Sequence, residues 1–271
     1  MFKQPSILLL ASTIALSSLS ACNGFRQEKV QVSSGEQLAA HTKPSVVRIA
    51  DGCQGKVYWR GNHKTYEVDN IALGSGYFVN ANGYIVTNAH VTENSRDEDN
   101  CKSELWKSFI YQLAKDYDKD PAAILRDAEA MQKIAQNAQT SDYEAIRLVF
   151  LPTGDKLPFE TKIAGKPVGE GKDVAVIKVE VKNAPVLKLG DSEQVQLQDH
   201  LTVAGFPGAG DSGVLNRKSA FVVSFTDGKL SAKKTTEDGA PVLQVSAPAT
   251  HGNSGGPVLD DRGNRRIQKL N

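Results

Sequence analysis

The sequence predicts an all-β domain, a sandwich or barrel, interrupted by one helical hairpin. Three observations predict it. Eight short runs rich in Val, Ile and aromatic residues follow one another between Ser45 and Ser246, separated by Gly, Asn and Asp turns. Asn82-Gly83 falls between two of them and is a strong hairpin signal. Residues 95–140 carry their apolar residues at helical spacing instead.

The first runs are "SVVRIA" (45–50), "GSGYFV" (74–79) and "GYIVTN" (83–88). In the helical stretch, Leu105, Phe109, Ile110 and Leu113 share one face. Asp120 is placed to cap a second helix with Pro121 at its first position, and Ile124, Ala128, Met131 and Ala135 recur along it. This apolar stripe predicts a hairpin packed against the β domain. The remaining runs are "AIRLVFL" (145–151), "VAVIKVEV" (174–181), "HLTVAGF" (200–206), "AFVVSF" (220–225) and "PVLQVS" (241–246).

Composition sets outer limits. The chain has 271 residues, 40% of them hydrophobic, and Lys+Arg 32 against Asp+Glu 31. A net charge of +1 points to no nucleic acid or acidic polymer as partner. Lys3 precedes an apolar run, Ile7 to Leu19, that is too short and too Ser-rich for a membrane span and reads as a signal h-region. It ends in "LSAC" (19–22), which resembles the bacterial lipobox. That resemblance implies a signal peptide over 1–21 and lipidation of Cys22, so that the protein is anchored to the membrane by its N-terminal lipid. An ordinary secretory signal cut nearby is the alternative. Asn23 is not aspartate, which by analogy favours the outer membrane, facing the periplasm. Residues 22–44 are polar and read as a tether. Cys53 and Cys101 remain, and an oxidising compartment permits them to pair or to stay as separate thiols; pairing is the expectation.

Ser254, in "THGNSGGPV" (250–258), raises the question of chemistry. A serine nucleophile needs a base and an acid to orient that base. Of the five histidines (His41, His63, His90, His200 and His251), His90 lies just past the strand in "YIVTNAHV", where a loop can aim its imidazole into a cleft. His200 begins a strand, His41 lies in the tether, and His251 reads as a loop residue. Asp173 precedes the apolar strand of "DVAVIKV", a place suited to a buried carboxylate or, taken alone, to a turn aspartate. Gly252 permits a backbone conformation that presents its N–H beside that of Ser254, making an oxyanion hole. Gly255 and Gly256 are expected to let a substrate backbone approach. Taken alone, "GNSGGP" reads equally well as a tight turn.

"TNAHV", "DVAVIKV" and "GNSGGPV", in that order, resemble the three catalytic blocks of trypsin-like serine peptidases, above all the HtrA/Deg branch. "GSGYFVNANGYIVTNAHV", "LPFETKIAGKPVGEGKDVAVIKV" and "LGDSEQVQLQDHLTVAGFPGAG" extend the resemblance over about 45–92 and 145–264. It implies two six-stranded barrels, the first over 45–182 and the second over 183–271, with the site in the cleft between them. It implies His90 as base, Asp173 as orienter, Ser254 as nucleophile, and Gly252 and Ser254 as oxyanion donors. Asn253 stands where digestive members carry an aspartate that senses a cleaved N-terminus, so no such zymogen switch is expected. Thr250 lies near where some relatives place a pocket threonine. Family trimers form through N-terminal segments not matched here, which leaves the oligomeric state open.

Two departures follow. The helical stretch about 95–140 is an insert relative to the family pattern. After "GGPVLDD" the chain reads "RGNRRIQKLN", where basic residues interrupt the expected apolar strand. The second barrel is therefore expected to be truncated, with the last one or two strands missing. The function implied is a serine endopeptidase acting on proteins or peptides of the bacterial envelope. The alternative is an inactive peptidase-like lipoprotein that binds peptides or proteins. No cofactor is implied. "GAGDSG" (208–213) has glycine spacing suited to a dinucleotide, but a strand-like run follows it where a helix is needed. No H-E-x-x-H or C-x-x-C spacing argues for a metal.

Overall fold

A computed structural model of the chain describes residues 33–166, 170–208, 216–260 and 266–267. Six strands form a closed barrel: β1 (Val46–Trp59), β2 (Lys64–Phe78), β3 (Tyr84–Thr87), β4 (Ala138–Phe150), β5 (Lys156–Ala164) and β6 (Ala175–Val179), in the order β1-β2-β3-β6-β5-β4. Val47, Ile49, Phe78, Ile85, Val149 and Ile177 fill its interior. Gly83, at φ +91°, sits in the β2–β3 turn that the Asn-Gly pair signals.

A second sheet comprises β7 (His200–Gly205), β8 (Ser224–Thr235), β9 (Pro241–Val245), β10 (Val258–Asp260) and β11 (Arg266–Ile267), in the order β11-β10-β7-β8-β9. Its own core holds Val195, Leu201, Val203, Leu230 and Val258. Between barrel and sheet, Val46, Tyr77 and Val86 meet Leu187, Phe206 and Leu259. The sequence reading has basic residues breaking the strand after "GGPVLDD". In the structure Arg266 and Ile267 pair with Leu259 and Val258 as a short strand. The pairing uses backbone groups, to which basic side chains are no obstacle.

The first barrel carries an extension that the short-run criterion missed. β1, β2 and β4 span 14, 15 and 13 residues, whereas β3 and β6 span 4 and 5. On one face of the extension Cys53, Val57, Tyr66 and Val68 are buried, while Gln54, Lys56, Glu67 and Asp69 on the other face are exposed. This is the alternation of a sheet covered on one side only. The cover is helical. α2 (Glu98–Asp116) lays Leu105, Phe109, Ile110 and Leu113 onto the sheet. Phe109 is surrounded by aromatic rings, with Tyr66, Trp106 and Trp59 centroids at 5.2, 5.6 and 6.3 Å.

The expected hairpin is three helices. α3 (Pro121–Arg126) starts as the sequence implies, with the Asp120 side chain accepting from the Ala122 N–H. It ends at Asp127, whose backbone is extended and whose Oδ1 accepts from the Glu129 and Ala130 N–H groups, capping α4 (Ala128–Asn137). The break turns the apolar stripe. Ile134 is buried, Met131 partly so, and Ala128 and Ala135 face solvent.

The expected tether is corrected over its last residues. Ser34–Thr42 form α1, whose Ser33 hydroxyl accepts from Glu36 N–H while the Glu36 carboxylate accepts from Ser33 N–H. Ser33 and Glu36 are a capping box, a signal legible in the sequence. Leu38 of α1 packs on the core between barrel and sheet. Cys22 lies outside the described residues.

Cys53 on β1 and Cys101 in the first turn of α2 are disulfide-bonded, with Cα atoms 6.2 Å apart and a sequence separation of 48. We expect reduction of the denatured protein to release two thiols. The Cys53→Ser, Cys101→Ser double variant should lose about 2–4 kcal/mol in urea unfolding. Two thiols titrating before reduction reject the pairing in solution.

Candidate active site

β3 and β6 are antiparallel neighbours, with Thr87 opposite Ala175. His90 lies three residues beyond Thr87 and Asp173 two before Ala175, so both leave the same end of this strand pair. His90 opens a 3₁₀ turn, His90–Thr92, anchored by Val91 in the barrel core. The His90 Nδ1 lies 2.7 Å from Asp173 Oδ2, and the His90 backbone N–H donates to Asp173 Oδ1 at 2.9 Å. Asn88 Nδ2 donates to the Asp173 carbonyl at 2.7 Å and fixes the main chain there. An ionised carboxylate only accepts, so the Nδ1 facing it is the ring's donor, an arrangement that leaves the lone pair of a neutral ring on Nε2.

Asp173 is fully buried and the His90 side chain is 41% exposed. Burial pushes the Asp173 carboxyl up. Hydrogen bonds from the His90 ring and N–H, the His90 charge and the Ala89 N–H outweigh it and hold the carboxyl below its usual range. The acid therefore stays ionised beside a ring open to solvent on its other side.

Ser254 reaches this pair through β2. Its carbonyl accepts from the Ser75 N–H at 2.8 Å. A Cβ placed on Gly74 would meet Val91 Cγ1 at 2.5 Å and Ser254 O at 3.2 Å, so the turn that carries His90 and the serine loop flank one glycine. Among the described residues no hydrogen bond joins the Ser254 hydroxyl to the His90 ring. The structure thus pairs His90 with Asp173 and brings the Ser254 carbonyl and Val91, the residue after His90, against the same glycine, without a third hydrogen bond. Such contacts often tighten only when substrate binds.

The loop itself is a turn closed by Asn253 N–H donating to Thr250 O at 3.0 Å, with Gly252 at φ +96°. The carbonyl of His251 accepts from Gly208 N–H at 2.6 Å. The carbonyl of Gly252 accepts from the Ser75 hydroxyl at 2.7 Å. Neither the Gly252 N–H nor the Ser254 N–H donates to an acceptor among the described residues. Two donors two residues apart, with the carbonyls around them tied down, suit a developing oxyanion.

The sequence reading of Gly255 and Gly256 needs correction. They admit the protein's own backbone. At Gly255, φ +82°, a Cβ would meet Thr87 Oγ1 at 2.1 Å and Ser75 O at 2.3 Å; at Gly256 it would meet Ala204 O at 2.3 Å. Gly255→Ala should therefore cost about 2–6 kcal/mol, from left-handed strain together with overpacking. Thermal or urea unfolding reads it, and a loss below 1 kcal/mol would show that the loop can lift off the barrel.

The other histidines lie apart from this pair. His41 is exposed on α1, His63 meets the Tyr58 hydroxyl at 3.0 Å, and His200 at the head of β7 lies 3.9 Å from Asp227. Thr250 and His251 are exposed, and each lends its carbonyl to the turn contacts above. Of "GAGDSG", only Gly208 lies within the described residues. Ser75 was missed by sequence reasoning. In "GSGYFV" it reads as one strand residue among others, and its contacts are to residues about 130 and 177 positions away.

A family model described as a trypsin-like peptidase domain matches residues 74–265. A "Probable periplasmic serine endoprotease DegP-like" of Pseudomonas putida (strain GB-1) is 26% identical over 195 residues, covering 71% of this chain and 28% of that protein. A "Putative serine protease HhoB" of Synechocystis sp. is 31% identical over 131 residues, covering 48% of this chain and 30% of that protein. The chain thus spans less than a third of the length of these two relatives. A solved structure of a variant of the HtrA-type protease AlgW with a tripeptide superposes with TM-score 0.50 at 20% identity, over 86% of this chain and 52% of that one, a likeness of fold.

Proposed function

The chain belongs to the trypsin-like peptidase family, and from that membership and the site geometry we propose that it is a serine endopeptidase of the HtrA/Deg type. The observation that carries the proposal is the His90–Asp173 pair standing beside a turn with two N–H groups left to donate. Ser254 Oγ attacks the carbonyl carbon of the scissile peptide while His90 Nε2 takes its proton. Asp173 holds Nδ1–H and stabilises the imidazolium that forms. The carbonyl oxygen, now an oxyanion, accepts from the Gly252 and Ser254 N–H groups. Collapse breaks the C–N bond, His90 gives its proton to the leaving amine, and the acyl group stays on Ser254. Water, deprotonated by His90, releases the acid and restores the serine.

The substrate class is protein or peptide. The relatives' names and the apolar run before Cys22 support a location in the bacterial envelope, and the "LSAC" segment supports a lipid anchor at Cys22. A fluorophosphonate probe tests the reading. Covalent labelling of the wild type and none of Ser254→Ala is the expected result. A folded wild type that stays unlabelled overturns it and favours a peptidase-like binding protein.

A further inference from the structure

We infer that Ser75, on β2 of the first barrel, is a positioning residue for the oxyanion donors. The inference rests on the serine-peptidase reading above. Ser75 is fully buried, and two of its polar groups, the hydroxyl and the backbone N–H, make three hydrogen bonds to the second sheet and the loops that leave it. Its hydroxyl donates to the Gly252 carbonyl at 2.7 Å and accepts from the Phe206 N–H at 2.9 Å. Its backbone N–H donates to the Ser254 carbonyl at 2.8 Å.

The direction of these bonds gives the role. A peptide plane turns as one unit, because its C–N bond does not rotate freely. Holding the Gly252 carbonyl against Ser75 fixes the Gly252–Asn253 plane, and Asn253 N–H then closes on Thr250 O. Gly208 holds the preceding plane through the His251 carbonyl. With the planes on both sides of Gly252 held, its own N–H has one direction left. Gly252, at φ +96°, has no Cβ to bias it toward that conformation, so the turn depends on these outside contacts. Holding the Ser254 carbonyl sets the chain on the far side of the second donor. Ser75 of the first barrel thus fixes the plane that follows Gly252, while Gly208 holds the plane that carries the Gly252 N–H itself. The Phe206 N–H, just past the end of β7, completes the hydroxyl's bonding and keeps its proton directed at Gly252.

Removing one oxyanion donor outright costs about 10²–10³ in rate, which bounds what can be lost by misdirecting it. We therefore expect Ser75→Ala to lower the maximal rate of fluorophosphonate labelling about 10- to 100-fold. The half-saturating probe concentration should stay unchanged, because ground-state binding does not use the donors. Ser75→Thr keeps the hydroxyl and should recover most of the rate. In parallel, the ¹⁵N–¹H signals of Gly252 and Asn253 should shift or broaden in Ser75→Ala and return in Ser75→Thr. Labelling of Ser75→Ala within twofold of wild type overturns the inference. So does a weaker half-saturation at unchanged maximal rate, or a Ser75→Ala protein that no longer folds, which would make Ser75 structural only. If wild type itself does not label, the peptidase reading fails, and the amide signals decide on Ser75 alone: unchanged signals overturn its role and displaced ones support it.

Discussion

Ser254→Ala is expected to lower kcat for peptide hydrolysis by about 10⁶-fold, the scale seen when the nucleophile of such a constellation is removed. No acyl intermediate can then form, and only water activated by His90 beside the oxyanion donors remains. That residue of catalysis leaves a rate about 10³–10⁴ above the uncatalysed reaction. KM should stay near wild type, since the Ser254 backbone that faces Ser75 is retained. Folding should be unaffected, because the Ser254 hydroxyl holds no hydrogen bond among the described residues. Turnover of a fluorogenic peptide, with the melting temperature of both proteins alongside, measures it. Activity within about 10³ of wild type in a clean preparation would remove Ser254 from the role of nucleophile.

Asp173→Asn should lower kcat about 10⁴-fold while leaving the shape of the site intact. The amide cannot stabilise an imidazolium. If its NH₂ group faces Nδ1, that nitrogen must accept, which puts the proton on Nε2, where the base is needed. The same substitution carries a pH signature. The Asp173 carboxyl is held below its ordinary range, against its burial, by the His90 ring and backbone and by the Ala89 N–H. A carboxyl lowered by folding contributes stability above its unfolded value, and that contribution disappears as the pH falls through the lowered native value. The wild type should therefore exceed Asp173→Asn in melting temperature at neutral pH, and the gap should narrow on acidification below about pH 4. A gap that stays constant into strong acid would show that the carboxylate's charge plays no part. An unchanged kcat would show that His90 is oriented by other groups.

These effects can be stated because the candidate groups lie in local blocks. His90 follows a strand, Asp173 precedes one, and Ser254 lies among glycines; each block taken alone has a plain turn or surface reading, and only the three in order point to a triad. α1 is marked in the sequence by the Ser33–Glu36 capping box, but the polar composition around it masks the signal. The extended halves of β1 and β2 were hidden for another reason. A strand covered on one side alternates Cys53, Gly55 and Val57 with Gln54 and Lys56, and a search for dense apolar runs passes over it. The break at Asp127 depended on one residue adopting an extended backbone inside a pattern that is otherwise helical.

The chain's local chemistry therefore marked most of the elements, the order of the three blocks and the candidate residues of the site, because capping, turns and periodicity act over a few residues. Tertiary structure alone set how the blocks meet. The hydroxyl of Ser75, the gap at Gly74 that brings Val91 and Ser254 together, and the need for glycine at 255 all arise from backbones far apart in sequence packing within about 3 Å. Close packing of that kind leaves no periodic mark on the sequence, since it is imposed by whichever distant segment the fold brings near.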